Sequence, residues 1–224
     1  EKSAAKILSH CDNDIQTQSS EDSIIFKGRS MHIGVPWGSV FEVNDNELPL
    51  VMAHVKYVKS ANQEQHETTM TGPITTANEI DVQEIAAEYY RGITINTISK
   101  VIELCNENSY EEATTIIRNV IQDINAWLDN TTDCGPKHIM GETKVSVSAR
   151  LRIIGLKDDL EGQISEASSK IEWYTKWGAH FLRSIMRAHQ LKHCNNFKDP
   201  GVQYYGNTEF VKVRDDADDI FSAL

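Results

Sequence analysis

The sequence predicts an α+β protein: a small antiparallel β-rich subdomain, then an antiparallel helical bundle, then a loop-like C-terminal tail. Three observations carry that prediction. From Ser23 to about Met70 apolar residues alternate with polar or small ones, the period of two of a half-buried strand. After Asn78 the apolar spacing changes to threes and fours, the period of a helix with one buried face. Past Cys194 the chain turns to Asn, Asp, Pro and Gly and closes on an acidic run. The expected units are residues 1–78, 79–194 and 195–224. The first of them is too small for a full sandwich unless flanking sequence supplies strands.

Taken in order, the short apolar stretch Ala4 to Leu8 reads as the remnant of a preceding element, and the polar residues up to Asp22 as a loop. Ile24 and Phe26, then Met31, Ile33 and Val35, then Val40 to Val43, then Leu50 to Lys59, read as strands, with a further one over Thr68 to Ile74. Gly28, Gly34, Pro36 and Gly38 punctuate them. Ile80 to Leu104 forms a helical stripe, with a break expected at the β-branched run around Gly92 to Ile95. Ser109 with Glu112 three residues on is a capping box opening a second helix, which Asp129 to Pro136 ends. A third helix is expected from Val145 to about Ile164, weakened by Gly155, and a fourth from about Lys170 to His193.

Composition excludes several classes of function. The chain has 224 residues, 40% hydrophobic and 25% charged, so it can bury a real core. No apolar run approaches the ~18–20 residues that span a bilayer. A net charge of −11, from 33 acidic and 22 basic residues, argues against gripping a phosphate backbone. Cys11, Cys105, Cys134 and Cys194 show no CxxC pair and are too sparse for a disulfide framework, which points to a reducing compartment and a cytoplasmic location. The first residue is Glu1 and the last five are apolar or small, so the chain is expected to be one module of a longer protein.

Candidate chemistry is thin. His189 and His193 stand four apart near a helix end, with His180 earlier, and such a pair binds zinc when further ligands join it. The Glu beside the first His that a zincin carries is missing, and histidines on a last helical turn suit the helix dipole. Asp199-Pro200-Gly201 fits neither a P-loop nor a calcium loop and reads as a turn. Asp215, Asp216, Asp218 and Asp219 read as a solvated acidic tail. Nucleophile-elbow, kinase and dinucleotide-binding glycine patterns are absent. His193-Cys194-Asn195 resembles a splicing junction, but no β-rich splicing fold is readable upstream of it. Trp173, Trp177, Tyr204 and Tyr205 are candidate partner-binding residues, with Trp177 the one whose spacing favours the core. No catalytic, cofactor or metal residue is assigned and no cofactor is expected.

Two stretches resemble the region that follows the von Willebrand factor A (VWA) domain in multidomain eukaryotic intracellular proteins. Asn196-Phe197-Lys198-Asp199-Pro200-Gly201, with Tyr205-Gly206 shortly after, is similar to that family's C-terminal signature, although Asn207 stands where a second Gly is expected. Phe26 to Ile33, with Gly28-Arg29-Ser30, is similar to a Gly-x-Ser strand of its β-rich part. The resemblance implies a VWA domain upstream in the parent chain, in some proteins with a RING, U-box or Hint domain. The Asp-x-Ser-x-Ser metal motif of the A domain itself is absent. The expected function is therefore a non-catalytic protein-interaction or scaffolding module. The alternatives are a metal-dependent enzyme built on His180, His189 and His193, or the substrate-recruiting part of a ubiquitin ligase.

Overall fold

A computed structural model describes residues 5–10, 16–19, 24–27, 39–43, 50–58, 64–73, 79–135, 147–194 and 198–206, with side-chain surroundings for 64–69 and from 82 onwards. Among the described residues seven helices follow one another: α1 (Glu79–Asn106), α2 (Tyr110–Asp129), α3 (Ala149–Asp159), α4 (Ser165–Ala167), α5 (Ile171–Trp173), α6 (Ala179–Leu191) and α7 (Pro200–Gln203). Wide π-type turns join α3 to α4 (Leu160–Ile164) and α5 to α6 (Tyr174–Gly178).

α1 is the central helix, packed against α2, α3 and α6. That position explains its composition. Ile95, Ile98 and Val101 are wholly buried on it, and so are Thr94 and the polar Arg91 almost entirely. A helix with neighbours on several sides has no single apolar stripe. The break expected at Gly92–Ile95 does not occur, because burial of Ile95 and Thr94 outweighs a propensity loss of about 0.5–1 kcal/mol per residue. α2 and α6 are conventionally amphipathic, burying Ala113, Ile117, Ile124 and Leu128 on one and Phe181, Leu182, Ile185 and Ala188 on the other.

The helix ends show how each turn is made. α1 closes in a Schellman motif: Asn108 takes the left-handed conformation (φ 62°), Ser109 N–H donates to Leu104 O at 2.8 Å and Asn108 N–H to Cys105 O at 3.1 Å. Ser109 is therefore spent on ending α1, and the expected capping box with Glu112 does not form; no side chain caps α2. The far end of α2 is closed from outside by Arg150 of α3, which donates to Leu128 O at 2.9 Å and Thr131 O at 2.8 Å. α3 starts at Ser148, whose hydroxyl accepts from Leu151 N–H at 3.3 Å, rather than at Val145. Its continuity fails not at Gly155 but at Gly162, where ψ is −121°. α6 ends as α1 does, with Lys192 left-handed (φ 50°) and His193 N–H on Ala188 O at 3.0 Å.

The expected α+β division needs correction. Among the described residues N-terminal to α1, strands pair in three separate antiparallel ladders, Ala5–His10 with Ser39–Val43, Gln16–Ser19 with Ile24–Lys27, and Leu50–Val58 with Gln65–Pro73. None joins another into a sheet of three or more strands among the described residues. Alternating residues signal extended backbone, but a β-rich subdomain needs several strands sharing a buried face. Where side-chain burial is described, at 64–69 and from 82 onwards, the buried hydrophobic residues lie between Ala87 and Val202, in the helical bundle. The segments read as a remnant and a loop, 1–22, contain two of the strands, and the strand expected at Met31–Val35 lies outside the described residues. The tail is likewise not wholly loop-like: Asp199-Pro200-Gly201, read as a turn, opens α7, whose Val202 is completely buried against the bundle. The acidic run Asp215–Asp219 lies outside the described residues.

Candidate functional site

The densest polar assembly lies where α7 and the end of α6 meet α3 and α1. Two glycines allow that approach. A Cβ on Gly155 would collide with the Tyr204 ring and the Gly201 backbone, and a Cβ on Gly201 would collide with the Asp159 carboxylate and the Gly155 carbonyl. Glycine at both positions lets α7 lie directly on α3. Asp159, one turn after Gly155, then receives the Gly201 N–H on Oδ1 at 2.9 Å. Its Oδ2 stands 3.2 Å from His189 Nε2, and both side chains are 0% exposed. That pair is close but off the line of a good hydrogen bond, since neither atom satisfies bonding geometry. On the opposite edge of the imidazole, Nδ1 is 3.0 Å from the Tyr205 hydroxyl, whose ring stands edge-on to His189 at 5.7 Å.

The surrounding charges complete the junction. Arg91 on α1 donates to His189 O at 2.9 Å, tying down an otherwise unpaired carbonyl of the last turn of α6. Arg91 also pairs with Glu88 at 2.6 Å, and Glu88 takes Lys192 at 2.8 Å and lies 4.0 Å from Arg152. Arg152 in turn pairs with Glu84 at 2.6 Å. Burial alone would raise the Glu88 carboxyl, but the Arg91 and Lys192 charges outweigh it and hold the group below the usual carboxylate range. Burial, reinforced by the Asp159 charge, pushes the Asp199 carboxyl up to about 6. Burial likewise raises the Tyr205 hydroxyl well above the usual phenol range. It raises the Cys105 thiol to about 11, which makes that cysteine an inert core residue.

A histidine between a tyrosine and an aspartate has the makings of a proton relay. Here Asp159 and the His189 ring are shut inside the bundle with Tyr205 half-buried over them, and the arrangement acts as a fastening. The three histidines proposed for a metal are not gathered: His189 faces inward, whereas His180 and His193 are exposed, and the left-handed turn at Lys192 takes His193 off the helical register. Among the described residues no group of three or more His, Cys, Asp or Glu is placed to hold a metal ion.

The four aromatic candidates separate. Trp177 packs on the core, edge-on to Phe181 at 5.5 Å, as its spacing suggested. Tyr205 reaches inward to His189, and Tyr204 covers Gly155. Trp173 is half-buried, with Lys170 and Lys176 over its ring at 5.2 and 5.8 Å. Its neighbour Tyr174 turns in and donates to Asn106 Oδ1 at 2.6 Å. Sequence reading missed Asp159, Arg91 and Gly201. The available signal was a carboxylate four residues after Gly155, on the face that carries Ile153, Leu156 and Leu160.

Residues 152–219 match the family described as VWA / Hh protein intein-like, less than a third of the chain. The match ties this segment to a VWA-associated region. It begins at Arg152 and contains Asp159, His189 and Gly201, so the fastening lies within it. All regular structure described in it is helical. No curated protein and no solved structure matches the chain. No helix among the described residues is long and apolar enough to cross a membrane.

Proposed function

We propose that the chain is a non-catalytic helical module that accompanies a VWA domain and presents a docking surface beside it. One observation supports this most: Asp159 and His189 of the matched segment are buried where α3, α6 and α7 meet, while apolar side chains stand outside. None of the residues of α5 is buried; Ile171 is 47% exposed and Trp173 is half-buried beneath two lysines. Apolar surface rimmed by cations suits a partner with an apolar and acidic face. A flanking VWA domain in the parent chain fits as that partner, and the setting is cytoplasmic.

The test is a calorimetric titration of the chain with a separately expressed VWA domain, using wild type and the Ile171→Ser, Trp173→Ala double variant. Saturable binding lost in the double variant, at unchanged helicity, supports the module. Binding that ignores both changes, or no binding at all, removes the surface from the account.

A further inference from the structure

The groove between α1 and α2 has a chemistry of its own, separate from the fastening and from the Ile171–Trp173 surface. It offers a half-open recess of about 380 Å³ bordered by Tyr89, Tyr90 and Ile93 from α1 and by Asp123, Ala126 and Trp127 from α2. Its three aromatic rings stand as successive walls. Tyr89 and Tyr90 have centroids 5.3 Å apart with planes at 69°, and Tyr90 and Trp127 are 6.0 Å apart at 66°. Tyr90 is fixed from below, buried to 8% exposure with its hydroxyl 3.4 Å from Asp123 O. Tyr89 and Trp127 are half-buried and Asp123 is exposed, so the recess opens to solvent.

The half-buried Tyr89 and Trp127 rings border the recess over the edge-packed Tyr90, and the exposed Asp123 carboxylate at its rim adds negative potential there. That combination selects a cation, and among cations one whose charge is spread over carbon, because it gives up little hydration on entering. The chain's own lysines illustrate the difference: Trp173 already carries Lys170 and Lys176, whereas among the described residues no cation lies over Tyr89, Tyr90 or Trp127. A free quaternary ammonium compound is held best by a site that encloses most of it. This recess is open on one side and flanked by Ile93 and Ala126, which suits a cationic head entering on an aliphatic stem.

We propose that Tyr89, Tyr90, Trp127 and Asp123 form a recognition site for trimethyllysine presented by a protein segment. The site stands whether or not the Ile171–Trp173 surface docks a VWA domain.

The experiment follows the Trp127 indole N–H resonance, assigned with Trp127→Phe, during titration with a short peptide carrying trimethyllysine. The same peptide with unmodified lysine, with the neutral tert-butyl isostere, and free choline are run alongside. The expected result is a saturable shift confined to Trp127 and its neighbours. The neutral isostere binds roughly fivefold to tenfold more weakly, as loss of a cation–π contact dictates. Asp123→Asn weakens binding by a few-fold and leaves helicity unchanged. Equal affinity for the neutral isostere, shifts centred on Trp173, or no saturation would overturn the proposal. Choline binding as tightly as the peptide would overturn its assignment to a protein side chain.

Discussion

The α1–α2 hairpin and the α3–α6–α7 junction are built on opposite plans within one bundle. The hairpin joins neighbours in sequence through three residues, closes on the backbone alone at Asn108 and Ser109, and fills its interface with Ala113, Ile117 and Ile124. The junction joins residues up to 98 positions apart, and its middle is polar: Asp159, His189 and the Gly201 N–H, backed by Arg91 and Glu88. A four-residue helix such as α7 buries little apolar surface beyond Val202, so it is held by directional contacts. Removing one apolar group from the hairpin leaves a cavity. Removing one polar group from the junction leaves a buried partner unpaired, which costs more per atom lost.

That contrast is open to test by substitution. The largest effect is expected at Asp159. Asp159→Ala strands His189 and the Gly201 N–H, and should lower the unfolding free energy in urea by about 3–5 kcal/mol. Gly201→Ala drives a methyl group against the Asp159 carboxylate and the Gly155 carbonyl, for a loss of about 1–3 kcal/mol in the same measurement. A pH effect should be smaller and local. The folded Asp199 carboxyl titrates at about 6, above its unfolded value near ~3.9, so the folded junction favours the protonated acid. Docking of α7 should therefore be strongest below about pH 4 to the extent Asp199 governs it, weaken as pH rises toward about 6, and stay weaker above. Amide exchange of α7 as a function of pH reads this out, and Asp199→Asn should flatten the profile. The smallest effect is expected in the hairpin. Ser109→Ala should change stability by less than about 0.5 kcal/mol, against the ~1 kcal/mol of a working cap, because Ser109 contributes its backbone and not its hydroxyl.

The same two regions differ in how far the sequence revealed them. The hairpin was readable because its information is local: apolar residues at threes and fours, and a polar break after Asn106. The capping detail was misread, since a Ser three before a Glu is equally available to the preceding helix end, and so was the break expected at Gly92–Ile95. The junction was not readable, because Asp159, His189 and Gly201 mean nothing until three helices bring them together. His189 and His193 read alike as histidines of a last helical turn, with a metal pair as the alternative, and the left-handed residue Lys192 separates the two. Asp199-Pro200-Gly201 looked like a turn because Pro and Gly are common to turns and to the start of a tightly packed helix. Strands after Ser23 were legible as extended backbone and those before it were not; alternation does not say how many strands join, and among the described residues they pair in twos.

The most direct test of the central claim, that Asp159 fastens α7 to the bundle, is native-state exchange of the Gly201 amide in wild type and in Asp159→Asn. The account predicts a slow amide in wild type and one at least about tenfold faster in the variant, with the Ile98 and Ile117 amides nearly unchanged. A Gly201 amide that exchanges as freely as an exposed loop in wild type, or that stays equally protected without the carboxylate, would contradict it.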